Sequence, residues 1–157
     1  MQKIITNLWF DDQAEEAAAF YTSVFDNSRV LETQRYGGAG PREPGSVMTV
    51  TFELFGQRFI GLNGGPEFTF NEAISLYVEC ESQEEVDSYW AQLTANGGQE
   101  VECGWLKDKF GVSWQIVPKI LTELIADPDP ERSQRVMRAM LGMKKIDIRG
   151  LEAAYAG

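Results

Sequence analysis

Apolar residues recur along this chain with two different periods. From Ile4 to Phe10 they alternate, placing Ile5, Asn7 and Trp9 on one face and Leu8 and Phe10 on the other, the period of a strand. The period then lengthens. Ala17, Phe20, Tyr21, Val24 and Phe25 recur at helical spacing, with Asp11 or Asp12 placed to cap the helix and Glu15 and Glu16 suited to its positive end. Strand patterns return at Arg29 to Tyr36, Val47 to Leu54 and Arg58 to Leu62, the last two joined by a turn at Gly56-Gln57. Gly37-Gly38-Ala39-Gly40-Pro41 interrupts them, as a plain connection or a mobile loop beside a site, and lacks the lysine and hydroxyl residue of a phosphate-binding loop. Gly64, Gly65 and Pro66 close this first unit.

The pattern then repeats. Ile74 to Cys80 reads as a strand, and Ser82 with Glu85 forms a capping box for a helix running to about Asn96. Val86, Tyr89, Trp90 and Leu93 are its apolar stripe, and Gly97-Gly98 ends it. Short strands follow at Glu100 to Leu106 and Ser113 to Val117, with Gly111 at the turn between. Leu8-Trp9-Phe10 matches Leu76-Tyr77-Val78, Phe20-Tyr21 matches Tyr89-Trp90, and Gly56 matches Gly111. The fold expected is therefore α+β: two repeated βαβββ modules forming an open, curved mixed β-sheet barrel with outer helices and a cleft. Module one covers residues 1–66 and module two 71–118. A helical tail at 119–157 completes a single domain, with helices at Lys119 to Ala126, Pro130 to Leu141 and Ile148 to Ala154. Pro130 suits a first helical turn. The tail could cover the cleft, pack on the outer helices or reach a partner subunit, and its Met137, Met140, Leu141 and Met143 suit either core or a recognition surface.

Composition narrows the function classes. A chain of 157 residues with 43% apolar content can bury a core unaided, and nothing approaches the roughly 18 apolar residues of a membrane span. The net charge of -10 opposes nucleic-acid binding, and the basic residues Lys144, Lys145 and Arg149 read as a solvated helix end. Two cysteines, Cys80 and Cys103, make no disulfide framework, and the first residues do not read as a secretory signal. A reducing cytoplasm is the expected compartment.

The segment from Ile5 through Tyr21, the run Asn71-Glu72-Ala73-Ile74-Ser75-Leu76 and the Val86-Asp87…Tyr89-Trp90 helix resemble a known group. So do Cys103-Gly104-Trp105-Leu106-Lys107-Asp108-Lys109-Phe110-Gly111, Ser113-Trp114-Gln115-Ile116-Val117-Pro118, Met140 and Lys145-Ile146-Asp147. The group is the glyoxalase, bleomycin-resistance and extradiol-dioxygenase (vicinal oxygen chelate) superfamily, in its PhnB-like, 3-demethylubiquinone-9 3-methyltransferase-domain branch. The resemblance implies small-molecule binding and homodimers. It also implies a divalent metal held by about one carboxylate or imidazole from each of four strands. In this chain those four places fall on Ile5, Ile60, Ala73 and Gln115, and there is no histidine, so neither a metal nor another cofactor is expected. A doubly wound methyltransferase would need a glycine-rich turn after its first strand, where this chain has Asp11-Asp12-Gln13.

Alternation aims Asn7, Trp9, Arg58, Leu62, Ser75, Tyr77, Ser113 and Gln115 toward the side of the absent ligands, with Trp105 on a hairpin beside them. Each has a plainer reading: Trp9 as core, Gln115 satisfying backbone groups, Arg58 pairing with an acid, Asp108 as a turn residue. A nucleophile would have to be Cys103, with Asp108 or Glu102 as base or Lys107 as activating cation, a thin arrangement. The leading expectation is a metal-independent small-molecule binding protein. The alternative is an enzyme, lyase-like or acting on a quinone-type substrate.

Overall fold

The first alternating segment folds as β1 (Thr6–Phe10), followed by α1 (Ala14–Val24), β2 (Ser28–Arg35), β3 (Val47–Leu54) and β4 (Gln57–Asn63), in a computed structural model that describes residues 1–157. The strands order as β1-β4-β3-β2, with β1 parallel to β4 and the other pairs antiparallel. One sheet face buries Leu8, Phe10, Val50, Phe52, Leu54 and Phe59. The helix contributes Ala14, Ala17, Ala18, Tyr21 and Val24 to the same core. Small residues let helix and sheet approach: a methyl placed on Gly61 would lie 3.2 Å from the Ala14 Cβ. This unit comprises Met1–Phe70.

Two local expectations are corrected here. Neither Asp11 nor Asp12 caps α1. The N-cap is Gln13, whose side chain makes no capping bond. The cap comes from Asn63 at the end of β4, whose Oδ1 accepts the Ala14 N–H at 2.8 Å. Asp11 and Asp12 stay exposed, whereas the parallel β1–β4 pairing carries buried Asn63 to the helix end. The β3–β4 turn also sits one residue earlier than expected, at Phe55-Gly56. Both residues have positive φ, 51° and 80°, the backbone that matches a two-residue hairpin to strand twist.

The second unit, Asn71–Gly157, contains β5 (Ser75–Cys80), α2 (Gln83–Thr94), β6 (Gln99–Glu100), β7 (Trp105–Lys107) and β8 (Ser113–Pro118). Its sheet order, β5-β8-β7-β6 with β5 parallel to β8, repeats the first unit's topology. Leu106, Trp114 and Ile116 are buried with Val86, Trp90 and Leu93 of α2. Half of the expected capping box forms: Ser82 accepts from the Glu85 N–H, while the Glu85 carboxylate reaches one residue past the N-cap and accepts from the Glu81 N–H. The strand expected over 100–106 is broken into β6 and β7. Between them Cys103 and Gly104 adopt φ of 58° and 85°, and their N–H groups donate to the carbonyls of Met143 and Lys144, both at 2.8 Å. Those bonds to the tail replace the ladder bonds a continuous strand would make.

The tail forms α3 (Lys119–Ile125), α4 (Pro130–Leu141) and α5 (Ile148–Ala156). Pro130 begins α4, and Asp129 caps it by accepting the Glu131 N–H. Val117, Leu121, Val136, Ile146 and Leu151 make a core of their own. Gln83 of α2 clamps the tail from both ends of its carboxamide, donating to the Ile146 carbonyl and accepting from the Ile148 N–H. Arg135 donates to the Ala154 and Tyr155 carbonyls at the end of α5. No helix is long and apolar enough to cross a membrane.

Candidate functional site

Strand alternation in the second unit sends Leu76, Trp114 and Ile116 toward α2 and leaves Tyr77, Trp105, Gln115 and Val117 on the opposite face. In register, Tyr77 pairs with Gln115 and Gln115 with Trp105, so three adjacent strands present one side chain each at the same level. The tail returns over this face. Leu121, Thr122 and Ile125 of α3, with Met140 of α4, face Tyr77, Trp105 and Gln115 across a cavity of about 390 Å³, within the usual range for small-molecule sites.

The cavity's polar groups are few and partly unused. Gln115 Nε2 donates to the Ser75 Oγ at 3.0 Å, leaving its carbonyl oxygen without a protein partner. Neither the Trp105 indole N–H nor the Tyr77 hydroxyl makes a hydrogen bond within the protein, and Tyr77 is 51% exposed. No lining residue is charged. Cys103 adds a half-buried thiol at the rim, whereas Cys80 is fully buried under α2. Burial first, then the nearby Glu85 carboxylate, pushes the Cys80 thiol up to about 12, so it stays protonated and unreactive.

Of the sequence-derived candidates in this unit, Tyr77, Trp105 and Gln115 line the cavity, and Ser75 supports Gln115 from the next strand. Ser113, paired with Ser75, is 1% exposed, and its Oγ has no hydrogen-bond partner. Lys107 pairs with Glu72 and holds that carboxyl below its usual range through the hydrogen bond. Asp108 is a turn residue: Oδ1 accepts the Phe110 and Val112 N–H groups, and Oδ2 accepts the Trp114 indole N–H. Its oxygens are committed to that turn, which removes it as a base for Cys103. Leu121, Thr122 and Ile125 join the site with no sequence signal beyond helical spacing in the tail, which a core helix gives equally, whereas Met140 is one of the tail methionines whose pattern suits either core or a recognition surface.

In the first unit, Asn7, Trp9, Arg58 and Leu62 lie on β1 and β4. Trp9 is tied down by the following loop: its indole N–H donates to the Gly65 carbonyl at 2.9 Å and Phe68 meets it edge-on at 5.0 Å. Arg58 takes no acid partner and donates to the Gln2 carbonyl, while the Gln2 carboxamide bonds its backbone. Asn7 is exposed and Leu62 half-buried.

A divalent metal does not fit the residues at the four corresponding places. Ile5 precedes β1, Ile60 lies in β4, Ala73 sits exposed before β5, and Gln115 lies in β8. Sliding each by two residues brings up Lys3 or Asn7, Arg58 or Leu62, Asn71 or Ser75, and Ser113 or Val117, none of them an anionic or imidazole donor. The orphaned Ser113 hydroxyl is a single neutral oxygen, and no group of three or more cysteines and carboxylates comes together anywhere in the chain.

Comparison with known proteins agrees with this topology. Residues 2–117 match the family described as 3-demethylubiquinone-9 3-methyltransferase. A PhnB protein from Bacillus cereus is 42% identical, with a TM-score of 0.68 over 74% of this chain and 99% of that one. Protein PA1353 from Pseudomonas aeruginosa shares the fold at 16% identity and a TM-score of 0.61, over 75% of this chain and 98% of its own. The fosfomycin resistance protein FosX from Listeria monocytogenes does so at 16% and 0.55, over 78% and 97%. No curated protein matches the chain. The family match stops at Val117, so α3 to α5 lie beyond the shared stretch, and the likeness read at Met140 and Lys145-Ile146-Asp147 is corrected to lie outside it. The chain therefore belongs to the 3-demethylubiquinone-9 3-methyltransferase (PhnB-like) family.

Proposed function

We propose that this protein binds a small, neutral, largely apolar molecule in the second unit's cavity, without a resident metal. The observation that carries this reading is the uncharged cavity of about 390 Å³ whose polar groups, Gln115 Oε1, the Trp105 N–H and the Tyr77 hydroxyl, are left free to orient a ligand. An ion there would shed part of its hydration and find no countercharge in the lining. The net charge of -10 adds long-range repulsion against anions. Flat aromatic compounds with one hydroxyl suit the apolar walls and the free carboxamide oxygen.

Binding is favoured over turnover because the lining offers no carboxylate, lysine or imidazole to move a proton. Lyase-like action or work on a quinone-type substrate would need groups from outside this cavity, and methyl transfer rests on the family description alone. The reading also takes the protein to be a cytoplasmic homodimer. Support comes from superfamily kinship and from the exposed β2 strand with Val30 and Leu31, and light scattering tests the dimer.

Cys103 provides the assay. The native thiol is alkylated with N-ethylmaleimide in the presence of 2-naphthol or, as the anionic counterpart, naphthalene-2-sulfonate. Saturable slowing by 2-naphthol and little effect of the sulfonate are expected. Equal protection by both, or by neither, would overturn the reading.

A further inference from the structure

We infer that the tail helices α3 and α4 are the selecting wall of this cavity, so that ligand size is set by Met140 and Ile125, residues outside the stretch the family shares. The inference rests on the binding reading above and adds which residues discriminate among ligands. The two walls differ in chemistry. The sheet side presents Tyr77, Trp105 and Gln115, which fix orientation through hydrogen bonds and flat rings. The helix side presents Leu121, Ile125 and Met140, aliphatic groups that distinguish ligands by shape alone, with Thr122 its single hydroxyl. Residues 2–117 contain the whole sheet wall and none of the helix wall.

The helix wall is also held independently of any ligand. Its anchors are the Gln83 clamp on Ile146 and Ile148, the Arg135 bonds to Ala154 and Tyr155, and the backbone bonds from Cys103 and Gly104 to Met143 and Lys144. α3 itself is held by Leu121 in the tail core and by Ile125 packed against that core. A wall pre-positioned in this way selects without an ordering cost on binding. Met140 is half-buried, packs on the tail core with its neighbours Leu124 and Met143, and reaches the cavity from α4. Methionine is the apolar residue best able to fill an irregular space, so its replacement resizes the site with little other change.

The test compares dissociation constants of two neutral hydroxyarenes, 2-naphthol and the larger 1-hydroxypyrene, for the full-length wild type, Met140→Ala and Met140→Phe, with Ile125→Ala as a second enlarging variant. A methylene-scale change in an apolar pocket is worth about tenfold in discrimination. Met140→Ala and Ile125→Ala are expected to shift the affinity ratio about tenfold toward 1-hydroxypyrene, and Met140→Phe to shift it the opposite way. The ratio is read on folded protein, so a general loss of stability does not mimic it. Unchanged ratios in all three variants, with both probes still binding, would overturn the inference and leave the binding reading standing. If wild type binds neither probe, both fall together.

Discussion

Asp108 should be the costliest single carboxylate in the chain to neutralise, and the structure allows the cost to be worked out. It is 2% exposed, and its carboxylate accepts N–H groups from Phe110 at 2.9 Å, Val112 at 3.1 Å and the Trp114 indole at 2.9 Å. In Asp108→Asn the shape is kept, but one oxygen becomes an NH2 group. If the remaining oxygen keeps the two backbone donors, the new NH2 faces the Trp114 N–H, donor against donor. Flipping the amide only moves the conflict to the backbone.

Losing a charge-assisted hydrogen bond costs about 1.5–3 kcal/mol, and stranding a buried indole N–H about 1–3 more. Relief of the buried carboxylate's desolvation offsets part of this. We expect a net loss of about 3 kcal/mol, a large share of a typical stability of about 5–15 kcal/mol. The assay is urea unfolding of wild type, Asp108→Asn, Trp114→Phe and the double variant. The cycle should return a coupling of about 1.5–2 kcal/mol between the two sites, since Trp114→Phe removes the stranded donor. A loss below about 1 kcal/mol, or no coupling, would refute the argument that this buried turn is built on the carboxylate.

Asn63→Ala should cost about 2 kcal/mol, because it uncaps α1 and strands donors and acceptors around a residue 4% exposed, whereas Asp12→Ala should cost almost nothing. Equal effects in thermal melts would return the cap to the aspartates. Gly64→Ala would place a Cβ 2.4 Å from the Trp9 ring and should cost about 1–3 kcal/mol, with a shift in tryptophan emission as the ring is displaced. An unchanged spectrum and melting temperature would contradict the close approach. Maleimide at pH 8 should add one label to native protein, at Cys103, and two after unfolding, because the Cys80 thiol is pushed up to about 12. Two native labels by intact mass would count against its burial.

The acid response is also directional. The hydrogen bond from Lys145, then that from Gln83, holds Asp87 below the ordinary 3.8, and Tyr155 does the same for Asp127. A depressed folded-state value gives stability that is present above 3.8 and is lost as pH falls through the folded value. The urea midpoint should therefore fall below about pH 4. That fall should be shallower in Asp87→Asn and Asp127→Asn, and identical slopes would show that these contacts do not hold the tail.

The repeated architecture was legible because both of its signals are local. Alternation at 6–10 and 75–80, and the Ser82–Glu85 capping bond, are set by residues within a few positions of one another. What escaped the sequence was set by distant partners. The cap on α1 comes from Asn63, 49 positions beyond Ala14, and the break between β6 and β7 depends on carbonyls of Met143 and Lys144. The sheet half of the cavity was legible for the same reason as the strands: Tyr77 and Gln115 share a face by parity and an in-register pair. For the helix half only a tail that could cover the cleft was legible, because Leu121, Ile125 and Met140 become neighbours of that face only through the path of the tail.

Calorimetric titration of 2-naphthol into wild type and Gln115→Ala, each with and without a divalent-metal chelator, tests the central claim most directly. The account predicts one site per chain with the same affinity in chelator. It also predicts binding about tenfold weaker in Gln115→Ala, the loss of one hydrogen bond of about 1–1.5 kcal/mol. No saturable heat, or binding that appears only when a divalent ion is added, would contradict it.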